Sequence, residues 1–287
     1  MSRSRQKVSR PAEAGELLPG VSVSLLQELH ILTRDGQLNA DARRKLKQVN
    51  HLLGLLRPAV DDLLARFPDP LVVDCGAGKA YLGFLLAQTA LIPAGKGHVI
   101  NVDERRELIE RARAIATQNG ISNMEFVAAQ VVGAALPDRV HLVTALHACD
   151  TATDDALALA LRHGADHIAV VPCCQAEVAR QLKDSKPADA AIAELAAHPI
   201  HRREFGSHLT NVIRTLVLEA HGYQVTVTEL VGWEHSLKNE LILARRVHRE
   251  NPAARARLDE LLHATGVHPK LLSLVSFGSA PPPGAPG

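Results

Sequence analysis

The run Leu71-Val72-Val73-Asp74-Cys75-Gly76-Ala77-Gly78-Lys79-Ala80-Tyr81-Leu82-Gly83 constrains this chain more than any other stretch. A short apolar segment ends in an acid and two alternate glycines, then leads into Phe84-Leu85-Leu86-Ala87, which reads as a buried strand, a tight turn and the start of a helix. Glycines in such a turn let the backbone take positive φ and approach a ligand closely, while the following helix presents unpaired N–H groups. Gly76 and Gly78 also fit a plain strand-to-helix turn, so the ligand reading needs support from elsewhere in the chain.

With 287 residues and 46% hydrophobic composition, the chain has enough apolar material for one large α/β domain, or a domain with an appendage. No apolar run approaches the ~20 residues a membrane helix needs, and the N-terminus lacks the apolar region of a secretory signal, so a cytoplasmic location is expected. The cysteines, Cys75, Cys149, Cys173 and Cys174, include an adjacent pair and no CxxC, which suggests neither a disulfide framework nor a ribbon-type zinc site. Residues 1 to 57 carry ten Lys/Arg against five Asp/Glu, leaving net −4 for the rest of a chain whose total is +1. The basic character lies at the front.

Four segments follow from patterning. Residues 1–20, with Arg3, Arg5, Lys7 and Arg10, read as a flexible basic arm. Residues 21–67 read as a helical segment: a short helix from Val21 to Leu32, then a second one capped by Asn39 or Asp41 with Leu46, Val49, Leu52, Leu53 and Leu56 at helical spacing. Pro58 is expected to start or kink a further helix. Arg43, Arg44, Lys45 and Lys47 crowd the second helix, either as a solvated face or as a grip on phosphate oxygens. Residues 68–250 form the main domain, and 251–287 a terminal helix over 252–266 with a Pro-rich tail.

Within the main domain, His98 to Asp103 reads as a second strand ending in an acid, followed by a helix with Leu108, Ile109, Ala112 and Ile115 inward. Asp103 lies 25 positions after Gly78, close to where a doubly wound fold places the carboxylate that accepts ribose hydroxyls. Met124 to Val132 is a third strand, with Gln130 near its end, and Asp138 to Ala145 a fourth, running into Leu146-His147-Ala148-Cys149-Asp150. Asp150 or Thr151 is expected to cap the next helix and Gly164 to close it. His167 to Val171 is a fifth strand, ending in Pro172-Cys173-Cys174-Gln175. Residues 176–203 read as a helix interrupted at Pro187 and Pro199, and Leu209 to Ala220 as a separate helix. Tyr223 to Leu230 and Leu241 to Ala244 are strands with no helical pattern between them, so they pair antiparallel.

Those elements predict a Rossmann-like α/β fold with a seven-stranded, mostly parallel sheet, an antiparallel last strand and N-terminal helices. A dinucleotide turn favours Gly-x-Gly-x-x-Gly, but position 81 is Tyr; the chain instead gives Asp-x-Gly-x-Gly-x-Ala. With the terminal strand pair, this favours S-adenosylmethionine as the cofactor.

Asp74-Cys75-Gly76-Ala77-Gly78-Lys79, Leu146-His147-Ala148-Cys149 with Ala152-Thr153-Asp154, and Pro172-Cys173-Cys174 together resemble the methyltransferase domain 32 group of class I methyltransferases. That group includes the methyltransferase domain of a glutathione S-transferase C-terminal-domain-containing protein. The pattern is also similar to the tRNA ribose 2′-O-methylase of the acceptor stem, over about residues 45 to 245. Two positions depart: Asp150 stands where those relatives usually have Gly, and Gln175 where they have Tyr or His.

The resemblance implies that Asp74 and the amides from Gly76 through Ala77 and Gly78 to Ala80 hold the methionyl end of the cofactor. Asp103 takes the ribose hydroxyls and Gln130 reads the adenine edge, with Cys75, Tyr81 and Leu146 also in the cofactor set. Methyl transfer from a sulfonium asks the protein to align the nucleophile and accept its proton. His147 is the natural base. Cys173 and Cys174 admit three readings: small apolar packing, lining of the methyl path, or thiolate chemistry together with Cys149, as in RNA cytosine-5 methyltransferases. Asp150 completes the catalytic candidates, and nothing in the spacing demands a metal. The expected acceptor is RNA; the alternatives are a protein or small-molecule acceptor, or a non-catalytic cofactor-binding module. No pattern in the chain encodes the oligomeric state.

Overall fold

The computed structural model describes residues 10–11, 20–29, 32, 37–38, 40–146, 150–172, 175–184, 189–230 and 240–277. Its sheet contains β1 (Leu71–Cys75), β2 (His98–Asp103), β3 (Met124–Ala128), β4 (Leu142–Ala145), β5 (His167–Val170), β6 (Tyr223–Glu229) and β7 (Glu240–Arg246). The strand order is β3-β2-β1-β4-β5-β7-β6. β7 runs antiparallel to both β5 and β6, in register from His167 opposite Arg245 to Val170 opposite Ile242, and from Tyr223 opposite Arg246 to Glu229 opposite Glu240. The parallel pairs β1·β2, β2·β3 and β4·β5 make up the rest of the described register. This is the Rossmann-like, seven-stranded, mostly parallel sheet with one antiparallel strand that the sequence predicts.

By packing, the chain divides into two units, Met1–Ala134 with Leu230–His235, and Ala135–Glu229 with Ser236–Gly287. In the first, every residue of β1 is buried, as is β2 after His98, the signature of parallel strands covered on both faces. α1 (Val23–Glu28) is capped by Ser22, whose hydroxyl accepts from the Leu25 amide at 3.1 Å. α2 spans Ala40–Arg66 as one helix with Pro58 inside it, so Pro58 does not start a further helix. Pro58 and Gly54, whose carbonyl loses its donor to the ring, are both exposed, a position at which solvent can replace the lost donor and the helix can continue. α3 (Tyr81–Leu86) follows the glycine turn, and α4 (Arg106–Gln118) buries Ile109, Ala112 and Ile115. β3 is shorter than expected: the chain turns into a 3₁₀ segment at Val131–Gly133. A two-residue ladder, Arg10–Pro11 with Gln37–Leu38, lies apart from the sheet.

In the second unit, β4 starts at Leu142, four residues later than the alternation suggests. α5 (Ala152–Arg162) ends as expected, with Gly164 at φ 57°. Its start differs from expectation: Thr151 makes no side-chain cap bond, and the Asp150 carboxylate turns away to accept from the Ala176 amide. Asp154 and Asp155 in the first turn supply negative charge at that helix end. α6 (Glu177–Asp184) and α7 (Ala190–Ala197) precede α8 (Pro199–Ala220), so the helical run is interrupted before Pro199 as expected, while Leu209 to Ala220, expected as a separate helix, continues the helix that Pro199 opens. Its ring sits at the first helical position, where no N–H is needed.

Gly206 allows α8 to lie close to α6, since an added Cβ would fall 2.7 Å from the Ala179 Cα. α9 (Pro252–Thr265) matches the expected terminal helix, and α10 (Lys270–Leu274) is an addition to it. The chain around α10 clasps two other helices: the Lys270 amide donates to Glu177 Oε1 at 2.8 Å, and Lys270 Nζ reaches Asp155 at 2.7 Å. Most of the basic arm and the Pro-rich tail lie outside the described residues. Among the described residues, no helix is long and apolar enough to cross a membrane.

Candidate functional site

In the first unit, the chain leaves β1 through Asp74 and Cys75, both buried, and enters a turn of unusual backbone. Gly76 and Gly78 have φ 65° and 57°, and Ala80 follows at φ 56°, the left-handed region. Three such residues at alternate positions coil the backbone tightly, and two bonds tie the coil to the end of β2. The Ala77 amide donates to the Val102 carbonyl at 3.0 Å, and the Gly78 amide to Asp103 Oδ2 at 2.7 Å. The glycines and the acid that the sequence places 25 positions apart therefore meet directly.

Asp103 is 3% exposed and accepts from four N–H groups. Besides Gly78, these are the Arg105 amide at 3.0 Å and the Arg105 guanidinium, Nε to Oδ1 at 2.9 Å and Nη2 to Oδ2 at 3.0 Å. Arg105 was not among the residues singled out by sequence; its only signal is a cation two positions beyond the acid. Burial pushes the Asp103 carboxyl up, but the bonds from the Arg105 side chain and from the Arg105 and Gly78 amides outweigh it and hold it below the usual carboxylate range. A lowered folded value contributes stability that is complete above the unfolded pKa of about 3.9 and lost as pH falls through the folded value. Arg105→Ala removes two of those bonds, so its acid-unfolding midpoint is expected to shift to higher pH. An unchanged midpoint in a circular-dichroism titration would show that the guanidinium does not hold the carboxylate.

Two other cofactor candidates, Tyr81 and Gln130, belong to this unit. The Tyr81 hydroxyl donates to the Leu29 carbonyl at 2.7 Å, fastening the segment after α1 to the start of α3. Gln130 is exposed just past β3.

In the second unit, Leu146 is half-buried immediately after β4. His147, Cys149, Cys173 and Cys174 lie outside the described residues; Asp150 and Gln175 directly follow Cys149 and Cys174 in the chain. Asp150 takes φ 50°, the left-handed region in which glycine is cheapest. That accounts for the Gly expected at this position in similar sequences; Asp is among the side chains that tolerate the region. Its Oδ1 accepts from the Ala176 amide at 3.1 Å, joining the segments that follow β4 and β5. Gln175 is buried and already committed: its Oε1 accepts from Ser207 at 2.8 Å and its Nε2 donates to Asn211 Oδ1 at 3.3 Å.

Behind them, Arg214 is 1% exposed and pairs with buried Asp154, Nε to Oδ1 at 2.7 Å. Burial pushes the Asp154 carboxyl up, more than the charge and hydrogen bond of Arg214 pull it down. Sequence reasoning noted Asp154 only as part of a motif and missed Arg214 and Asn211. No local signal marks a partner sixty residues away. Among the described residues, no group of His, Cys, Asp or Glu is arranged to hold a metal.

Residues 44–181 match the family model Methyltransf_32, a methyltransferase domain. No curated protein matches the chain. Among solved structures, the chain is similar to an rRNA methylase from Streptococcus thermophilus, at 12% identity and TM-score 0.43, covering 67% of this chain and 97% of that one. It is also similar to a magnesium protoporphyrin IX methyltransferase from Synechocystis PCC 6803 with bound S-adenosylhomocysteine, at 14% identity and TM-score 0.45, covering 77% and 94%. The family match supports an S-adenosylmethionine-dependent methyltransferase with S-adenosylmethionine as its cofactor.

Proposed function

We propose that this chain transfers the methyl group of S-adenosylmethionine to RNA. The observation that carries the cofactor half is the bond from the Gly78 amide to Asp103, which joins the left-handed turn to the buried acid at the end of β2. Asp74 and the turn from Gly76 to Ala80 hold the methionyl end, and Asp103 the ribose hydroxyls. For those hydroxyls to reach the carboxylate, Arg105 gives up its two-pronged grip; its side chain is 55% exposed, so it has solvent to move into. The bound cofactor supplies a strongly electrophilic methyl group, and the protein aligns the acceptor and takes its proton. His147 is assigned that proton, and Cys149, Asp150, Cys173 and Cys174 complete the catalytic candidates. The RNA half is supported by the excess of five positive charges in residues 1 to 57 and by the resemblance to a tRNA ribose methylase.

Radiolabelled methyl transfer from S-adenosylmethionine into total cell RNA, compared with total protein, tests this reading. Label is expected in RNA, with RNA affinity falling steeply with salt and weakening in the Arg43→Ala/Arg44→Ala/Lys45→Ala variant. Label in protein alone would replace the acceptor class. Cofactor binding without any transfer would leave a non-catalytic binding module. Loss of transfer in His147→Ala, with retention in Cys173→Ser and Cys174→Ser, identifies base-assisted transfer; loss in the cysteine variants identifies the covalent route.

A further inference from the structure

One guanidinium and the helix that carries it hold the chain on the far side of both candidate catalytic segments. Arg214 on α8 divides its donors three ways: Nε to Asp154 Oδ1 at 2.7 Å, Nη1 to Asn211 Oδ1 at 3.2 Å and Nη2 to the Asp150 carbonyl at 2.9 Å. Asp150 directly follows Cys149. Asn211, one turn earlier on the same helix, takes the Gln175 amide on the same Oδ1 at 3.3 Å, and Ser207 donates to the other end of that amide at 2.8 Å. Gln175 directly follows Cys174. The Asn211 amide nitrogen donates in turn to Glu240 on β7.

Fold stability alone is a poor reason for this arrangement. A buried ion pair is often matched or bettered by well-packed apolar residues of similar volume. The apolar replacement lacks the third arm, the hydrogen bond that fixes the Asp150 carbonyl. A lysine would lack it too, because a single ammonium cannot reproduce a planar fork aimed at three acceptors. We propose that Arg214 and Asn211 are positioning residues for the proposed transfer: they fix Asp150 and Gln175, the residues that directly follow the catalytic candidates Cys149 and Cys174 in the chain. Neither touches the acceptor; both act through Asp150 and Gln175. The kinetic consequence rests on the proposed methyl transfer, whereas the hold on Asp150 and Gln175 does not.

The test uses the full-length chain and the double variant Asp154→Leu/Arg214→Met, which removes both buried charges together. Iodoacetamide alkylation rates of Cys149, Cys173 and Cys174 are followed peptide by peptide by mass spectrometry. Thermal melting, S-adenosylmethionine binding and the kcat and KM of transfer are measured in parallel. The double variant is expected to melt within a few degrees of the parent and to bind the cofactor equally well. The alkylation rate of Cys149 is expected to change at least fivefold, and kcat to fall at least tenfold with the cofactor KM unchanged. Parent-like alkylation and kcat in the folded double variant would overturn the assignment and leave the network a packing feature. If the parent transfers no methyl group, the proposed function fails while the alkylation rates still decide this question. Should the double variant not fold, Asn211→Ala, which keeps the ion pair, is read in the same alkylation assay: an altered rate at Cys173 or Cys174 supports the assignment and an unaltered one overturns it.

Discussion

Gly78→Val is expected to weaken S-adenosylmethionine binding by at least about tenfold in a calorimetric titration. Two costs combine at this position. The residue sits at φ 57°, a region that costs an L side chain roughly 1–2 kcal/mol and a β-branched one more. An added Cβ would stand 3.4 Å from Arg105 Nη2, the mobile end of a side chain with solvent to move into, so the first cost is the backbone strain and the second is the loss of the amide bond to Asp103. Relaxation of the turn moves the Gly78 amide away from the Asp103 carboxylate, a charge-assisted bond of the kind that contributes about 1.5–3 kcal/mol. Every 1.4 kcal/mol, roughly, is a factor of ten in binding. Gly78→Ala should give a smaller loss, because it carries the backbone strain without the addition from a β-branch. Undiminished affinity in a folded Gly78→Val protein would remove the turn from the cofactor site.

Arg214→Ala is expected to destabilise the fold by about 3–5 kcal/mol, the range for breaking a buried pair by removing one partner. The effect is large because Asp154 is left 1% exposed and without the cation that opposes its desolvation. Its pH dependence is distinctive. With Arg214 gone, burial raises the Asp154 pKa further above the unfolded value. The unfolded chain then releases this proton at lower pH than the folded one, so stability falls as pH rises from the unfolded pKa to the folded one. Urea unfolding of the variant should therefore show a greater deficit against the parent at pH 8 than at pH 5. Equal deficits at both values would mean that the carboxylate charge is not the cause.

The two variants probe features that differ in how visible they are in the sequence. The turn and Asp103 are legible because both belong to neighbouring βα steps: each strand ends where its apolar run stops, and the acid and glycines fall at those ends. Element boundaries were less legible. Pro58 suggested the start or kink of a further helix, yet it lies on an exposed face within one helix; Leu209 to Ala220 read as a separate helix, yet it is the end of the one that Pro199 opens. Asp150 suggested a helix cap, and its carboxylate went to the Ala176 amide. In each case a contact or an exposure set by tertiary structure overrode a local preference.

By itself, then, the sequence determined the βα alternation, the antiparallel ending, and the identity of the strand ends that carry the turn, the acid and the two cysteine-bearing segments. These are consequences of apolar periodicity and of residues with restricted or permissive φ, which act over a few positions. Only the tertiary structure decided that Arg105 shares Asp103 with the turn, that Asp150 occupies a left-handed position, and that Arg214 joins Asp154, Asn211 and Asp150. An arginine on α8 has an ordinary helix preference whether its guanidinium faces water or a carboxylate sixty residues away. The bond forms because burial makes an unpartnered charge so costly, and burial is a property of the folded chain.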